Sequence, residues 1–244
     1  MTYPGAYFDE LGDYAWSSAR TVVPLVLEHV PADSVVDVGC ATGVWLAVFR
    51  EHGVTRVLGL DGDYVERSGL HIPTECFRPV DLSRPFTCDG RFDLAVSLEV
   101  AEHLPKASAA GFVASLCQAA PIVLFSAAVP GQRGRHHVNE QWPEYWRQLF
   151  AEHGFRMFDP LRPLVWHNDE VAYYYRQNMF LFVSEAALVA YPQLARLPEV
   201  KDASALLLVA PHMVLDHLGV IGVLKRLPGL AVAGVKRRLE RLRS

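Results

Sequence analysis

The sequence predicts an α/β fold, a mostly parallel sheet with helices on both faces, from three observations. Short apolar runs recur about every 20 residues through the first hundred positions. Each of the first four ends in an acid: Val35 to Asp37, Arg56 to Asp61, Phe77 to Asp81, and Arg91 to Glu99. Helix-compatible segments separate the runs, which supplies the crossover that parallel neighbours require.

From the N-terminus, Asp13 to Val30 reads as a helix with Asp13 as its cap and Ala19, Val22, Val23, Val26, Leu27 and Val30 as an apolar stripe. Pro24 lies inside it and points to a kink or a late start. The aromatic segment before it, Tyr3 to Phe8, reads as loop. Val35 to Trp45 then has the grammar of strand, tight turn and helix, with Gly39 and Gly43 opening the helix. Such a turn lets backbone approach a ligand and presents free N–H groups to it. Asp61 falls at about the 20-residue offset at which a carboxylate grips a ribose in dinucleotide folds. Pro105 to Ala119 is a helix, and Ile122 to Ser126 is a fully apolar fifth strand. Pro130 to Asn139 is a polar loop. Glu140 to His153 is helical, with Trp142, Tyr145, Trp146, Leu149 and Phe150 on one side and Gly154 as its stop. Phe155 to Phe158 is a sixth strand, Pro160 to Asn168 a connection, and Asn178 to Ser184 the last strand.

Four strands that each end in a carboxylate at this spacing resemble the class I S-adenosylmethionine-dependent methyltransferases, over roughly Val35 to Val183. The resemblance implies a Rossmann-like, mostly parallel seven-stranded sheet, its last strand antiparallel and inserted beside the fifth. It implies S-adenosylmethionine as cofactor. Asp37, Gly39, Ala41 and Gly43 would line its methionine and ribose side, Asp61 with Gly62 its ribose hydroxyls, Asp81 with Leu82 its adenine, and Glu99 its methionine end. Ala41 departs from the family, which often has Gly there. His137-Val-Asn-Glu-Gln-Trp-Pro, the later Tyr-x-Gln-Asn, and Ser-Leu-Glu-Val-Ala-Glu-His-Leu-Pro resemble a bacterial subgroup often encoded with polysaccharide and natural-product genes.

Three loops carry candidate chemistry. In the first, Glu99 and His103 are four apart and share a face on a helical turn; His103 reads equally as a base and as a brace for the loop backbone. In the second, His136, His137, Asn139, Glu140 and Gln141 crowd together after a buried strand. His137 is the preferred base, since imidazole titrates near working pH, and His136 reads as solvent-facing. Asn139 reads either as a site residue or as a helix cap. In the third, Tyr173, Tyr174 and Tyr175 cannot all face the core. Tyr174 and Tyr175 are candidates to surround a sulfonium, because aromatic faces stabilise cations. No metal site is expected, since neighbouring side chains on an extended chain point apart and no acid sits at a recognised ligand spacing.

Composition sets bounds. The 244 residues are 51% hydrophobic and 20% charged, which suits a globular domain with a full core. Four cysteines without a Cys-x-x-Cys pair read as reduced packing residues. No apolar stretch reaches the roughly 20 residues of a membrane span, and no signal peptide is read at the start. From Val220 onward there are seven Lys or Arg and one Glu, a net of +6, so the rest carries −10. An acidic body excludes nonspecific nucleic-acid binding as its role. The chain thus reads as three regions: 1–34, an N-terminal helical cap; 35–190, the cofactor-binding domain; and 191–244, a helical C-terminal extension. Leu230 to Leu242 within the extension is a basic amphipathic helix. It reads as docked on the domain, as a homodimer contact, or as lying on an anionic membrane surface. The expected location is cytoplasmic, with or without peripheral contact to the inner membrane.

The leading reading is O-methylation of a sugar or small-metabolite hydroxyl. A second is an intramolecular cyclase, since azetidine-2-carboxylate synthases use a methyltransferase-like fold on S-adenosylmethionine alone. A third is a cofactor-binding partner subunit without catalysis.

Overall fold

The computed structural model describes residues 5–204 together with 206, 209, 210 and 213, and side chains from residue 14 onward. The chain divides into two compact units, Met1–Leu207 and Leu208–Ser244. The sheet and its helices belong to the first. The basic helix expected at Leu230 to Leu242, and most of the apolar stretch after Asp202, lie outside the described residues.

Helix α1 (Gly5–His29) precedes β1 (Ser34–Val38), α2 (Val44–Glu51), β2 (Arg56–Asp61), β3 (Phe77–Pro79), β4 (Leu94–Leu98), α3 (Ala109–Ala119) and β5 (Ile122–Ser126). Then come α4 (Pro143–Ala151), β6 (Phe155–Phe158), α5 (Arg162–Val165), α6 (Tyr173–Asn178), β7 (Phe180–Ser184) and α7 (Glu185–Ala190). The seven strands lie in the order β3-β2-β1-β4-β5-β7-β6. The first five pair in parallel, whereas β7 runs antiparallel between β5 and β6. This is the Rossmann-like seven-stranded arrangement expected.

The two-residue period of the strands builds two cores. Val35, Leu94, Val96 and Leu124 pack with α1 and α2 on one face. Val36, Val38, Ala95, Val123 and Phe125 pack with α3 and α4 on the other. Strands β1, β4 and β5 are buried along their whole length, as parallel strands covered on both faces must be. After β1 the chain builds outward through β2 and β3, then returns to place β4 on the opposite side of β1. That reversal opens a crevice at the carboxyl ends of β1 and β4.

Several boundaries differ from expectation. Helix α1 starts at Gly5, so the described part of the segment read as loop, residues 5–8, is helical; Ala6 to Leu11 contains no helix breaker. Pro24 stays within the helix, whose Val22, Val23 and Val26 are at most 1% exposed; their burial offsets the lost backbone bond. Strand β3 ends at Pro79, which has no N–H for the ladder, so Asp81 lies two residues beyond it. Residues 106–108 form a separate 3₁₀ turn before α3. Helix α4 begins at Pro143, where a missing N–H costs nothing. Its cap is therefore Trp142, not Asn139, and Trp142 is exposed. The connection after β6 contains α5, and the tyrosine run forms α6. Residues 191–204, grouped by sequence with the C-terminal extension, fold back on the sheet edge: Leu194 is fully buried, Phe158 bridges Glu199, and the Ala203 N–H donates to Glu144. All four cysteines are free thiols, two buried and two half-buried.

Candidate active site

The crevice is a cavity of about 1050 Å³ at the carboxyl ends of the strands. Of the residues singled out from sequence, Asp37, Gly39, Ala41, Asp61, Gly62, Asp81, Leu82, Glu99, His103, His137, Tyr174 and Tyr175 line it. Gly43 and Asn139 do not. Gly43 caps the start of α2 against Ile72. Asn139 is buried, with its amide donating to the Ala101 carbonyl and its oxygen accepting from Gln141.

Acids from the ends of the first three strands line part of the cavity. Asp61 terminates β2, and its carboxylate accepts from the Ala41 N–H at 2.7 Å, the Gly62 N–H at 2.6 Å and the Tyr64 hydroxyl at 2.5 Å. The first bond holds Ala41 in a left-handed conformation at φ 46°, the position where the family often has Gly. Asp37 is buried behind it, and burial together with the Asp61 charge pushes its carboxyl up to about 8. Asp81 is exposed and accepts from both the N–H and the hydroxyl of Ser83, which lowers its pKa. Gly39 sits at φ 88°, and a Cβ there would collide with Val100 Cγ2. Its missing side chain therefore makes room for the loop after β4.

That loop carries another part of the lining. Glu99 adopts φ 55° and is held by the carbonyl and hydroxyl of Ser126, both bonded to its N–H. Strain of this kind persists only where surroundings over-determine it. Its carboxylate accepts from Gln132 at 2.7 Å and Asn178 at 3.0 Å, and Asn178 also donates to Gln132. Burial raises the Glu99 pKa against these bonds. A 3₁₀ turn over Ala101–His103 comes next. Its Glu102 carbonyl accepts from the N–H groups of Val138 and Asn139, which staples the 130–139 loop to the turn. The His103 and His137 rings meet edge to face with centroids 4.9 Å apart. His137 Nδ1 lies 3.0 Å from Glu140 Oε1, and that carboxylate also accepts from the N–H groups of Gly131 and Arg133. Burial, with His137 nearby, lowers His103 to about 4. Tyr175 is buried against Trp45, ring centroids 5.2 Å apart, and Tyr174 stacks on it edge-on at 4.6 Å.

Sequence reasoning missed Glu102, Gln132 and the role of Asn178. The Glu99-x-x-Glu102-His103 spacing was the one signal available for Glu102. Spacing along the chain showed no metal-ligand set, whereas the fold brings donor atoms of Glu102, His103 and His137 within 4.8 Å of one another.

A Rossmann-like sheet with acids at successive strand ends, a buried acid that favours a cationic ligand, and a large cavity fits S-adenosylmethionine. These features define a cofactor-dependent transferase of the class I methyltransferase type. The methyltransferase-domain family matches residues 14–169, and the chain belongs to that family. The cofactor is S-adenosylmethionine. No curated protein sequence matches the chain significantly. Among solved structures, the methyltransferase domain of bacterial CtHen1 superposes with a TM-score of 0.51 at 18% identity, over 68% of this chain and 98% of that one. A chain in the Haloferax volcanii complex of the Trm112 methyltransferase activator with a putative methyltransferase gives 0.55 at 15%, over 74% and 94%. Magnesium protoporphyrin IX methyltransferase of Synechocystis, solved with S-adenosylhomocysteine, gives 0.50 at 16%, over 70% and 84%. These likenesses show the fold. Among the described residues, no helix is long and apolar enough to cross a membrane.

Proposed function

We propose that this methyltransferase acts on a hydroxyl of a sugar or other small metabolite. The observation that carries the reading is that a single cavity is lined both by Asp37 and Asp61 and by the His103–His137 pair. Bound S-adenosylmethionine supplies a methyl group on a sulfonium. Asp61 takes the ribose hydroxyls, Asp81 the adenine amino group, and Glu99 the methionine end. Tyr174 and Tyr175 offer ring faces to the sulfonium. Imidazole lone pairs of the His103–His137 pair polarise the acceptor hydroxyl and take up its proton. The 130–139 loop and its Glu140 bonds fix those rings in place, which preserves near-attack geometry.

The test is incubation with S-adenosylmethionine and a panel of hydroxylated acceptors, read by mass spectrometry. S-adenosylhomocysteine with an O-methylated product is expected. Methylthioadenosine formed without acceptor would convert the reading to intramolecular cyclisation. Cofactor binding without any turnover across the panel would leave a non-catalytic partner subunit.

A further inference from the structure

We propose that Glu102, His103 and His137 form a binding site for one divalent first-row transition cation at the acceptor end of the cavity. Three facts carry it. First, one donor atom from each lies within 4.8 Å of the others, and all three residues line the cavity. Ligands at about 2.0–2.2 Å from a shared ion stand roughly 3–4 Å apart, so side-chain motion of about 1 Å closes the set.

Second, the Glu102 and His103 donors are largely buried and poorly paired. Glu102 is 0% exposed, and no hydrogen bond of good geometry reaches either carboxylate oxygen, although its own N–H, the Ala128 N–H and the Glu99 carboxyl lie close; His103 Nδ1 likewise lacks a well-formed bond. Buried polar groups in native proteins are paired, and buried carboxylates especially so. Glu99 is a second buried acid beside Glu102, so a cation bound there displaces the proton that the two carboxyls share.

Third, the surroundings orient the set. Glu140 accepts from His137 Nδ1, which leaves the lone pair on Nε2; metal-bound imidazoles are commonly oriented by such a carboxylate. Gly134 has no side chain where one would collide, since a Cβ there would overlap that Nε2. The two backbone bonds to the Glu102 carbonyl prevent the His137 loop from drifting away from the turn.

One carboxylate and two imidazoles suit Zn²⁺, Mn²⁺, Co²⁺ or Fe²⁺ rather than Mg²⁺ or Ca²⁺, which prefer oxygen. Three protein ligands leave positions open to the cavity. On the hydroxyl-acceptor reading, on which this consequence rests, the acceptor oxygen binds there. The cation then polarises the hydroxyl in place of the imidazole lone pairs it occupies and lowers its pKa. Open neighbouring positions favour an acceptor with two adjacent oxygens, such as a vicinal diol.

The experiment uses the full chain, stripped with chelator and titrated with Mn²⁺, Co²⁺ and Zn²⁺ by calorimetry, with Co²⁺ also followed by absorbance. One equivalent should bind. Glu102→Gln and His137→Ala should each weaken binding at least tenfold, and Glu140→Gln by about 10–100-fold, as for loss of an orienting partner. S-adenosylmethionine affinity of each variant, measured separately, reports folding. Failure of the stripped protein to bind any of the three ions overturns the site, as does undiminished binding in folded Glu102→Gln and His137→Ala. Stoichiometric binding without O-methylation of any hydroxyl keeps the site and overturns the functional reading instead. Undiminished methylation by the stripped protein keeps the functional reading and overturns the cation's part in polarising the hydroxyl.

Discussion

At the scale of single residues, Asp37 and Ala41 make opposite statements about the same loop. Asp37 is a protonated acid near neutral pH, because burial and the Asp61 charge push it to about 8. A bound sulfonium and ammonium favour its ionised form. Cofactor binding below pH 8 therefore releases a proton, and affinity should rise with pH up to about 8 and then level off. Calorimetry in buffers of different ionisation enthalpy measures that proton, and Asp37→Asn should abolish both the release and the slope. The sign reverses for stability of the free protein. With a folded pKa above the unfolded 3.8, the contribution is present below that value and is lost as pH rises to about 8. Ala41 holds φ 46° against a strain of roughly 1–2 kcal/mol for an L residue. Glycine removes that strain and returns about 0.4–1 kcal/mol in chain entropy. Ala41→Gly should thus raise stability by about 0.5–1 kcal/mol in urea unfolding; a loss of stability would show that the methyl group packs usefully. The spacing of Asp37, Asp61, Asp81 and Glu99 was legible in sequence because each lies within two residues of a strand's carboxyl end. Glu102, Gln132 and Asn178 were not, because the turn after β4, the 130–139 loop and the end of α6 come together only in the fold.

At the scale of elements, β1, β2, β4 and β5 were readable from their apolar runs, whereas α6 was not. Six residues give under two turns, too few for a helical period to show, and three tyrosines suggest a strand as readily. What positions α6 is tertiary. The Ala172 N–H donates to Ser18 of α1, and the Gln177 carbonyl accepts from Arg162 of α5. Arg162 is 3% exposed, pairs with Asp159 through Nε and Nη2, and lies over the Phe180 ring. It ties β6, α5, α6 and β7 together. Arg162→Met should cost about 3 kcal/mol, since it leaves Asp159 and the Gln177 carbonyl unpaired in a largely buried site. Thermal unfolding checks this, and a cost below about 1 kcal/mol would mean that water reaches both groups. Cofactor affinity should also fall, because α6 carries Tyr174 and Tyr175.

At the scale of the whole molecule, the sheet order follows from the connections. The antiparallel placement of β7 came from the family resemblance, not from periodicity, since antiparallel and parallel strands buried on both faces look alike in sequence. Every described residue lining the cavity lies between Ala15 and Tyr175, inside the first unit. A chain ending at Leu207 should therefore bind S-adenosylmethionine within about threefold of full-length affinity, a difference well under the 1.4 kcal/mol of a tenfold change. A larger loss in a folded truncation would show that the second unit completes the site. Comparing both forms on anionic vesicles separates any surface attachment by the basic end of the chain from catalysis.

The Tyr64 hydroxyl on Asp61 has a kinetic meaning. Taking Asp61 as the ribose grip, the protein carries its own stand-in for a sugar hydroxyl, seated 2.5 Å from the carboxylate and attached to a half-exposed ring. An arriving nucleoside must evict that tenant, and a departing one is replaced at once. The exchange levels the energy of the empty and filled states, so the spent cofactor leaves without exposing a bare carboxylate. Tyr64→Phe should hold S-adenosylhomocysteine longer, visible as a slower dissociation rate, with turnover falling wherever release limits the cycle.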